Sequence, residues 1–193
     1  MGLLDRKTAV VTGANSGIGM ATAQRFLAEG AERVFITGRR QAELDHAATT
    51  LGSRVTAVRG DVGIAGDVDR LYAEVAAAGS GLDIVMANAG STRVARLGEI
   101  TDDDLDALLT TNVKGVVYTV QKALPLLNDG ASVILTGSTT ADRGRAGLSI
   151  YAATKAAVRS LARAWASELA DRDIRVNVIV AGSTATPGSD ALA

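Results

Sequence analysis

Three side chains in the second half of the chain have the types and spacing for proton transfer: Ser138, Tyr151 and Lys155. Tyr151 and Lys155 are four residues apart, so on a helix they share one face. An ammonium held beside a phenol favours the phenolate, which readies that group to give or take a proton at a reacting oxygen. The Ser138 hydroxyl can hydrogen-bond the same oxygen. The flanking segments supply the positioning. Residues 131–136 (Ala-Ser-Val-Ile-Leu-Thr) form an apolar, β-branched run that reads as a buried strand. Ser138 then sits at a strand's carboxyl end, where open α/β sheets place their ligands. Residues 149–171 are Ala-rich, with Val158, Leu161, Trp165 and Leu169 in helical period, and read as the helix that carries Tyr151 and Lys155. Alone, Tyr-x-x-x-Lys is an ordinary surface pair on a helix. The rest of the chain decides its meaning.

The first third reads as strand, glycine loop, helix. Residues 7–12 are a short apolar run, followed by Gly13-Ala-Asn15-Ser16-Gly17-Ile18-Gly19 and a helical pattern closed by Gly30. Loop amides and the positive end of a helix dipole make an anion site. Gly13 permits the tight turn, Gly17 the approach of a pyrophosphate, and Gly19 the packing of helix on strand. The spacing is G-x-x-x-G-x-G, and by itself it fits a structural turn as well. A second strand, 33–37, ends at Gly38-Arg39-Arg40. An acid near this point takes the ribose 2′-hydroxyl of NAD; two arginines suit a 2′-phosphate instead. The plainer reading is a solvated charge pair at a helix start. A helix over 41–51 and a third strand over 54–59 lead to Gly60-Asp61-Val62. Asp61 suits an adenine amino group, or a cap for the helix over 67–78.

A fourth strand, 82–86, ends at Asn88-Ala89-Gly90. Residues 105–127 are helical, interrupted at Asn112-Val-Lys-Gly115, and Asn112 is costly there by propensity, which points to a task for its side chain or a local kink. A sixth strand over 174–180 completes the alternation of strand and helix. The pattern implies a Rossmann-type α/β fold: one doubly wound parallel sheet in a single domain over residues 1–193, with right-handed crossovers.

Composition narrows the function classes. A chain of 193 residues suits one domain with a sizeable core. Its formal net charge of -1 and lack of a basic block give nucleic acid or an anionic membrane no purchase. Without cysteine there is no disulfide, thiolate metal site or cysteine nucleophile. The single histidine, His46, lies in a polar helical stretch and reads as a surface residue, so no metal is expected. Thr101-Asp-Asp-Asp104 reads as a helix N-cap with dipole-favourable acids. No apolar run nears the roughly 20 residues of a spanning helix, and no leader is evident, so a cytoplasmic location is expected.

In order, from residue 7 to Pro187, the chain resembles the short-chain dehydrogenase/reductase family. Residues 12–19 resemble its cofactor loop, Asp61 its adenine contact, and Asn88-Ala89-Gly90 its motif after the fourth strand. Asn112, Ser138, Tyr151 and Lys155 match its catalytic tetrad in order and spacing. The resemblance implies an enzyme that transfers a hydride between a nicotinamide cofactor and a small carbonyl or alcohol. Tyr151 would protonate the carbonyl oxygen and Ser138 would hold it. Lys155 would bind the nicotinamide ribose, and Asn112 would support a water chain to Lys155. Implied cofactor contacts are Gly13, Asn15, Ser16, Gly17, Ile18, Gly19, Arg39, Arg40, Asp61, Val62, Asn88, Ala89, Gly90, Tyr151, Lys155, Gly182, Thr184 and Thr186. Arg39 and Arg40 favour NADP; NAD, and a cofactor-binding protein without turnover, are the alternatives. Family members pack two helices, here 105–127 and 149–171, across two-fold axes, so a homodimer or homotetramer is expected.

Two departures stand out. The family's Pro-Gly after the sixth strand is Ala181-Gly182 here, which touches the loop that positions the carboxamide. The family's substrate lid and seventh strand do not appear within residues 1–193. In strand order 3-2-1-4-5-6 the sixth strand is then an edge that invites pairing. It is expected to be covered by chain beyond Ala193 in the natural protein, or by a partner subunit.

Overall fold

The computed structural model describes residues 2–186; Pro187, part of the family resemblance, lies outside them. Six strands form one sheet in the order β3-β2-β1-β4-β5-β6, every neighbouring pair parallel. They are β1 (Thr8–Thr12), β2 (Arg33–Gly38), β3 (Val55–Arg59), β4 (Leu82–Ala87), β5 (Leu127–Ser138) and β6 (Arg175–Ala181). Six α-helices alternate with them: α1 (Gly17–Ala28), α2 (Gln41–Leu51), α3 (Ala65–Ala77), α4 (Asp102–Leu109), α5 (Gly115–Ala123) and α6 (Ser149–Glu168). This is the Rossmann-type arrangement that the alternating pattern implies.

The period of two in each strand divides the core into two layers. Val10 pairs with Phe35 and Val85, Val85 with Val133, and Val133 with Val176, giving a buried row on one face. Against that row pack Leu71 and Val75 of α3, Val116 and Val120 of α5, and Val158 of α6. The next residues along, Val11, Ile36 and Met86, point to the opposite face and meet Ala23 and Leu27 of α1 and Leu44 of α2. Every residue of β1 is buried, as suits a strand covered on both faces.

The largest departures from the sequence pattern lie in the two long helices and at the start of β5. The helix expected over 105–127 is two helices joined by a π turn at Thr110–Lys114, and it ends at Ala123. Leu127 belongs instead to β5, where it pairs with Leu82 before the register shifts and Ser132 pairs with Ile84. Asn128, Asp129 and Gly130 between them are exposed, with Gly130 at φ 77°, so a turn-like sequence is a bulge within the strand. The helix expected over 149–171 gives way after Glu168 to a 3₁₀ turn at Ala170–Arg172. Arg172 closes this corner by donating to the carbonyls of Leu124 and Leu127.

At the far edge, β6 pairs only with β5 among the described residues, and Ile179 and Val180 remain 48% and 44% exposed. No helix among the described residues is long and apolar enough to cross a membrane.

Candidate active site

The carboxyl ends of β1, β4 and β5 meet at a junction stitched by side chains. Asn88 Nδ2 donates to the carbonyls of Thr12 (3.0 Å) and Gly13 (3.2 Å), and Thr12 Oγ1 accepts from the amides of Asn88 and Ala89. Thr136 Oγ1 donates to Asn88 Oδ1, which ties in β5. The loop between β1 and α1 therefore has a fixed shape. Gly13 sits at φ 63°, and a Cβ there would lie 2.8 Å from the Ala89 Cα. A Cβ on Gly19 would lie 2.4 Å from the Gly13 carbonyl oxygen. Both positions require glycine.

A cleft of about 350 Å3 opens beyond this loop, walled by Gly13, Asn15, Ser16, Arg39, Asp61 and Val62 among others. Ser16 precedes α1 without capping it through its side chain, and the first turn of that helix carries no acid. The helix amides and the positive dipole end are thus left without a side-chain cap, as an anion site requires. The glycine cradle and the uncapped helix fit the pyrophosphate of a dinucleotide. Gly17 and Gly19 lie within the turn rather than on the cleft wall. Thr186 sits over Gly17, its Cγ2 at 3.3 Å from where a Cβ would be.

The two arginines lie at the rim of this cleft, each about two-thirds exposed and each facing an acid. Arg39 Nη1 is 3.7 Å from Asp61 Oδ2, and Arg40 pairs with Glu43. Glu43 also accepts from Asn15 Nδ2 at 2.8 Å, linking the glycine loop to α2. Asp61 does not cap α3, whose N-cap is Ile64. Its Oδ1 accepts from the Gly63 amide at 2.9 Å, which shapes the turn.

A second cavity, of about 900 Å3, adjoins the first through Asn88 and Gly90 and carries Ser138, Tyr151 and Lys155 together on its wall. Ser138 ends β5, and its Oγ accepts from the Thr140 amide (3.2 Å) and Thr140 Oγ1 (2.8 Å). With two donors at its oxygen, the Ser138 hydroxyl hydrogen is directed elsewhere. Tyr151 and Lys155 lie one turn apart on α6, with Lys155 Nζ 5.7 Å from the Tyr151 ring centre. Lys155 is 4% exposed, donates to the Thr136 carbonyl at 2.8 Å, and is lowered by burial to a pKa of about 8. Gly182, Thr184, Thr186 and Ile18 line the far side of this cavity.

Asn112 is not on either wall. It lies in the π turn, fully buried, with its side-chain amide against the backbone of Ser91. Oδ1 accepts from the Ser91 amide and Nδ2 donates to the Ser91 carbonyl, both at 2.8 Å. Nδ2 also reaches Thr154 Oγ1 at 3.2 Å, and Thr154 in turn donates to the Tyr151 carbonyl at 2.7 Å. Sequence reasoning did not single out Thr154, Ser91 or Glu43. A polar residue beside Lys155 on the inner face of α6 was the available signal for Thr154. The i,i+3 spacing from Arg40 was the signal for Glu43. Ser91 Oγ is buried without a hydrogen-bond partner among the described residues, next to the cavity that Ser91 lines. The acidic run Thr101–Asp104 is a capping box, with Thr101 and Asp104 exchanging side-chain and backbone bonds.

Comparison with known proteins agrees with this geometry. The family described as short chain dehydrogenase matches residues 7–193. "Oxidoreductase asL5" of Sarocladium schorii is 51% identical over 185 residues, covering 95% of this chain and 74% of that protein. A short chain dehydrogenase from Burkholderia cenocepacia, solved in complex with NADP, superposes with a TM-score of 0.88 at 39% identity, covering 96% of this chain and 77% of that one. A 3-ketoacyl-(acyl-carrier-protein) reductase from Brucella melitensis, complexed with NADH, gives a TM-score of 0.90 at 30% identity, with coverages of 95% and 78%. The chain belongs to the short-chain dehydrogenase/reductase family, oxidoreductases that act on CH–OH and C=O groups with a nicotinamide cofactor.

Proposed function

We propose that this enzyme interconverts a small carbonyl compound and its alcohol, with NADP as the preferred cofactor, in one cofactor-binding domain that also carries the reacting groups. The observation that carries the proposal is the meeting of Ser138, Tyr151 and Lys155 on one cavity wall that opens onto the glycine cleft. The glycine loop, Asp61, Val62, Asn88, Gly90 and Thr186 would hold the dinucleotide, with Lys155 and Tyr151 at its nicotinamide end. When bound, that cofactor supplies or accepts the hydride. Tyr151 gives its phenolic proton to the substrate oxygen in reduction and takes it back in oxidation. The Ser138 hydroxyl donates to the same oxygen, because its own lone pairs are occupied by Thr140. The Lys155 ammonium lies close to the Tyr151 ring and is shielded from water, one helical turn from the reacting phenol.

Asn112 acts at one remove. Its side-chain amide is fully engaged by Ser91 and Thr154, so it sets the loop after β4 and, through Thr154, the backbone of Tyr151. Relay of a proton toward Lys155 falls to groups other than that side chain.

The NADP preference rests on Arg39 and Arg40 at the cleft rim, and the NADP-bound Burkholderia relative is in keeping with it. Tyr151→Phe tests the central assignment. It is expected to retain cofactor binding and to lose about 10²–10⁴-fold in turnover, the scale of general acid catalysis. Turnover of a carbonyl panel at the wild-type rate would overturn the role given to Tyr151.

A further inference from the structure

Among the described residues, the larger cavity is lined by charge of one sign only. Its described lining includes Lys155, Arg143 and Arg145 and no carboxylate. Lys155 is buried and its ammonium is bonded to the Thr136 carbonyl, so it is not among the charges exposed at the mouth. Arg143 and Arg145 are exposed, and neither guanidinium has an ion pair or hydrogen bond among the described residues.

The segment that carries them is tethered at both ends. Asp142, the one acid in residues 139–148, is taken up by Arg159 of α6. At the other end the Ala95 amide donates to the Gly147 carbonyl at 2.9 Å, and Leu148 N donates to Arg145 O at 3.1 Å. Val94 packs so closely that a Cβ on Gly147 would lie 2.8 Å from its Cγ1. Two like charges, two residues apart on a fixed segment, raise the potential at the mouth of a concave site, where walls of low dielectric focus it.

On the reading that this cavity holds the carbonyl or alcohol substrate, we propose that the substrate carries an anionic oxyacid group, which Arg143 and Arg145 bind while its carbonyl lies at Ser138 and Tyr151. Guanidinium forks meet the paired oxygens of carboxylate and phosphate alike. A neutral ketone gains nothing from either arginine. An anionic one is drawn in by both and oriented, carbonyl inward.

Matched pairs of keto acid and methyl ester test this, for example 4-oxopentanoate, 5-oxohexanoate and 7-oxooctanoate with their esters, assayed with NADPH at low and high salt. In the pairs that turn over, kcat/KM is expected to favour the acid by about tenfold, the weight of two exposed charge pairs, and to lose that preference as salt rises. Arg143→Gln with Arg145→Gln should bring the acid-to-ester ratio close to one. Arg33→Gln with Arg175→Gln, the same loss of two charges at the amino ends of β2 and β6 and outside the cavity lining, should leave the ratio as it is. Esters turned over as well as acids in every active pair would overturn the proposal while leaving the oxidoreductase reading intact. If no pair turns over, the assignment of a small-carbonyl substrate fails. Calorimetric titration of the keto acids into the NADPH-loaded protein then decides the anion site: binding abolished in the double variant supports it, and no binding overturns it.

Discussion

Replacing Lys155 by Met removes a buried amine while keeping most of its hydrocarbon stem, so the packing around Val158 and Ala162 is little disturbed. Burial lowers the Lys155 pKa from 10.5 to about 8, which at 1.36 kcal/mol per pKa unit is about 3 kcal/mol. The sign follows from proton counts. Between those two values the unfolded chain holds the proton and the folded chain does not, so the wild type gains stability as pH rises through this window. The gain is complete above 10.5 and is lost as pH falls through about 8. Methionine has no such proton, so the difference between variant and wild type isolates Lys155 from other groups that titrate in the same range. The variant's advantage is expected to be about 3 kcal/mol larger at neutral pH than above pH 10. Loss of the bond from Nζ to the Thr136 carbonyl displaces the whole curve without changing its slope. Urea denaturation of the ligand-free protein in pH steps measures this directly, with the slope m checked for constancy. Curves that run parallel would refute the reasoning, and would also remove the ground for a shielded ammonium beside Tyr151.

Arg39→Ala and Arg40→Ala should each narrow the NADPH-over-NADH affinity gap by about 1.5–3 kcal/mol if the guanidinium meets the 2′-phosphate; fluorescence titration showing equal wild-type affinities would refute the preference. Glu43→Gln releases Arg40 from its ion pair, so NADPH should bind more tightly and NADH should not. Thr154→Val leaves Asn112 Nδ2 and the Tyr151 carbonyl without their buried partner, at a cost of about 1–3 kcal/mol, whereas Thr154→Ser keeps the hydroxyl and should recover most of it in thermal melts. The outer face of α6 presents Ala153, Ala156, Ser160 and Ala164, small enough for close helix approach, so a homodimer or homotetramer is expected, and a monomer at micromolar concentration in sedimentation would exclude it.

The sheet was legible because its strands are short apolar runs with polar punctuation, and because crossover handedness leaves few orders for six parallel strands. The glycine loop was legible for a related reason: Gly13 and Gly19 are demanded by backbone proximity, so residue type alone records the geometry. What the sequence hid depends on distant partners. The start of β5 was hidden by Asn128-Asp-Gly130, which has a turn's composition, yet strand pairing resumes beyond it. The engagement of Arg39 and Arg40 by Asp61 and Glu43 was not foreseen, although Glu43 lies only three residues from Arg40. Arg143 and Arg145 carry no signal in the sequence, and only the fold places them on the wall shared with Tyr151.

Asn112 shows how the two levels connect. Local propensity argues against asparagine in the middle of a helix, and at this point the chain departs from α-helix into a π turn. The departure is sustained by bonds to Ser91, twenty-one residues earlier, and to Thr154, forty-two later. Those bonds join the loop after β4 to α6, so Gly90, Ser91, Tyr151 and Lys155 are held relative to one another before any ligand arrives. Ser138 is held from the other side by Thr140, and Lys155 by the Thr136 carbonyl. Groups fixed in this way need no reorganisation as charge develops on the substrate oxygen, which is the condition under which hydrogen-bond donors stabilise a transition state most. The residue that violates local preference is therefore the one whose side chain ties the two elements facing the reaction together, as expected when a local rule is broken for a site and not for the fold.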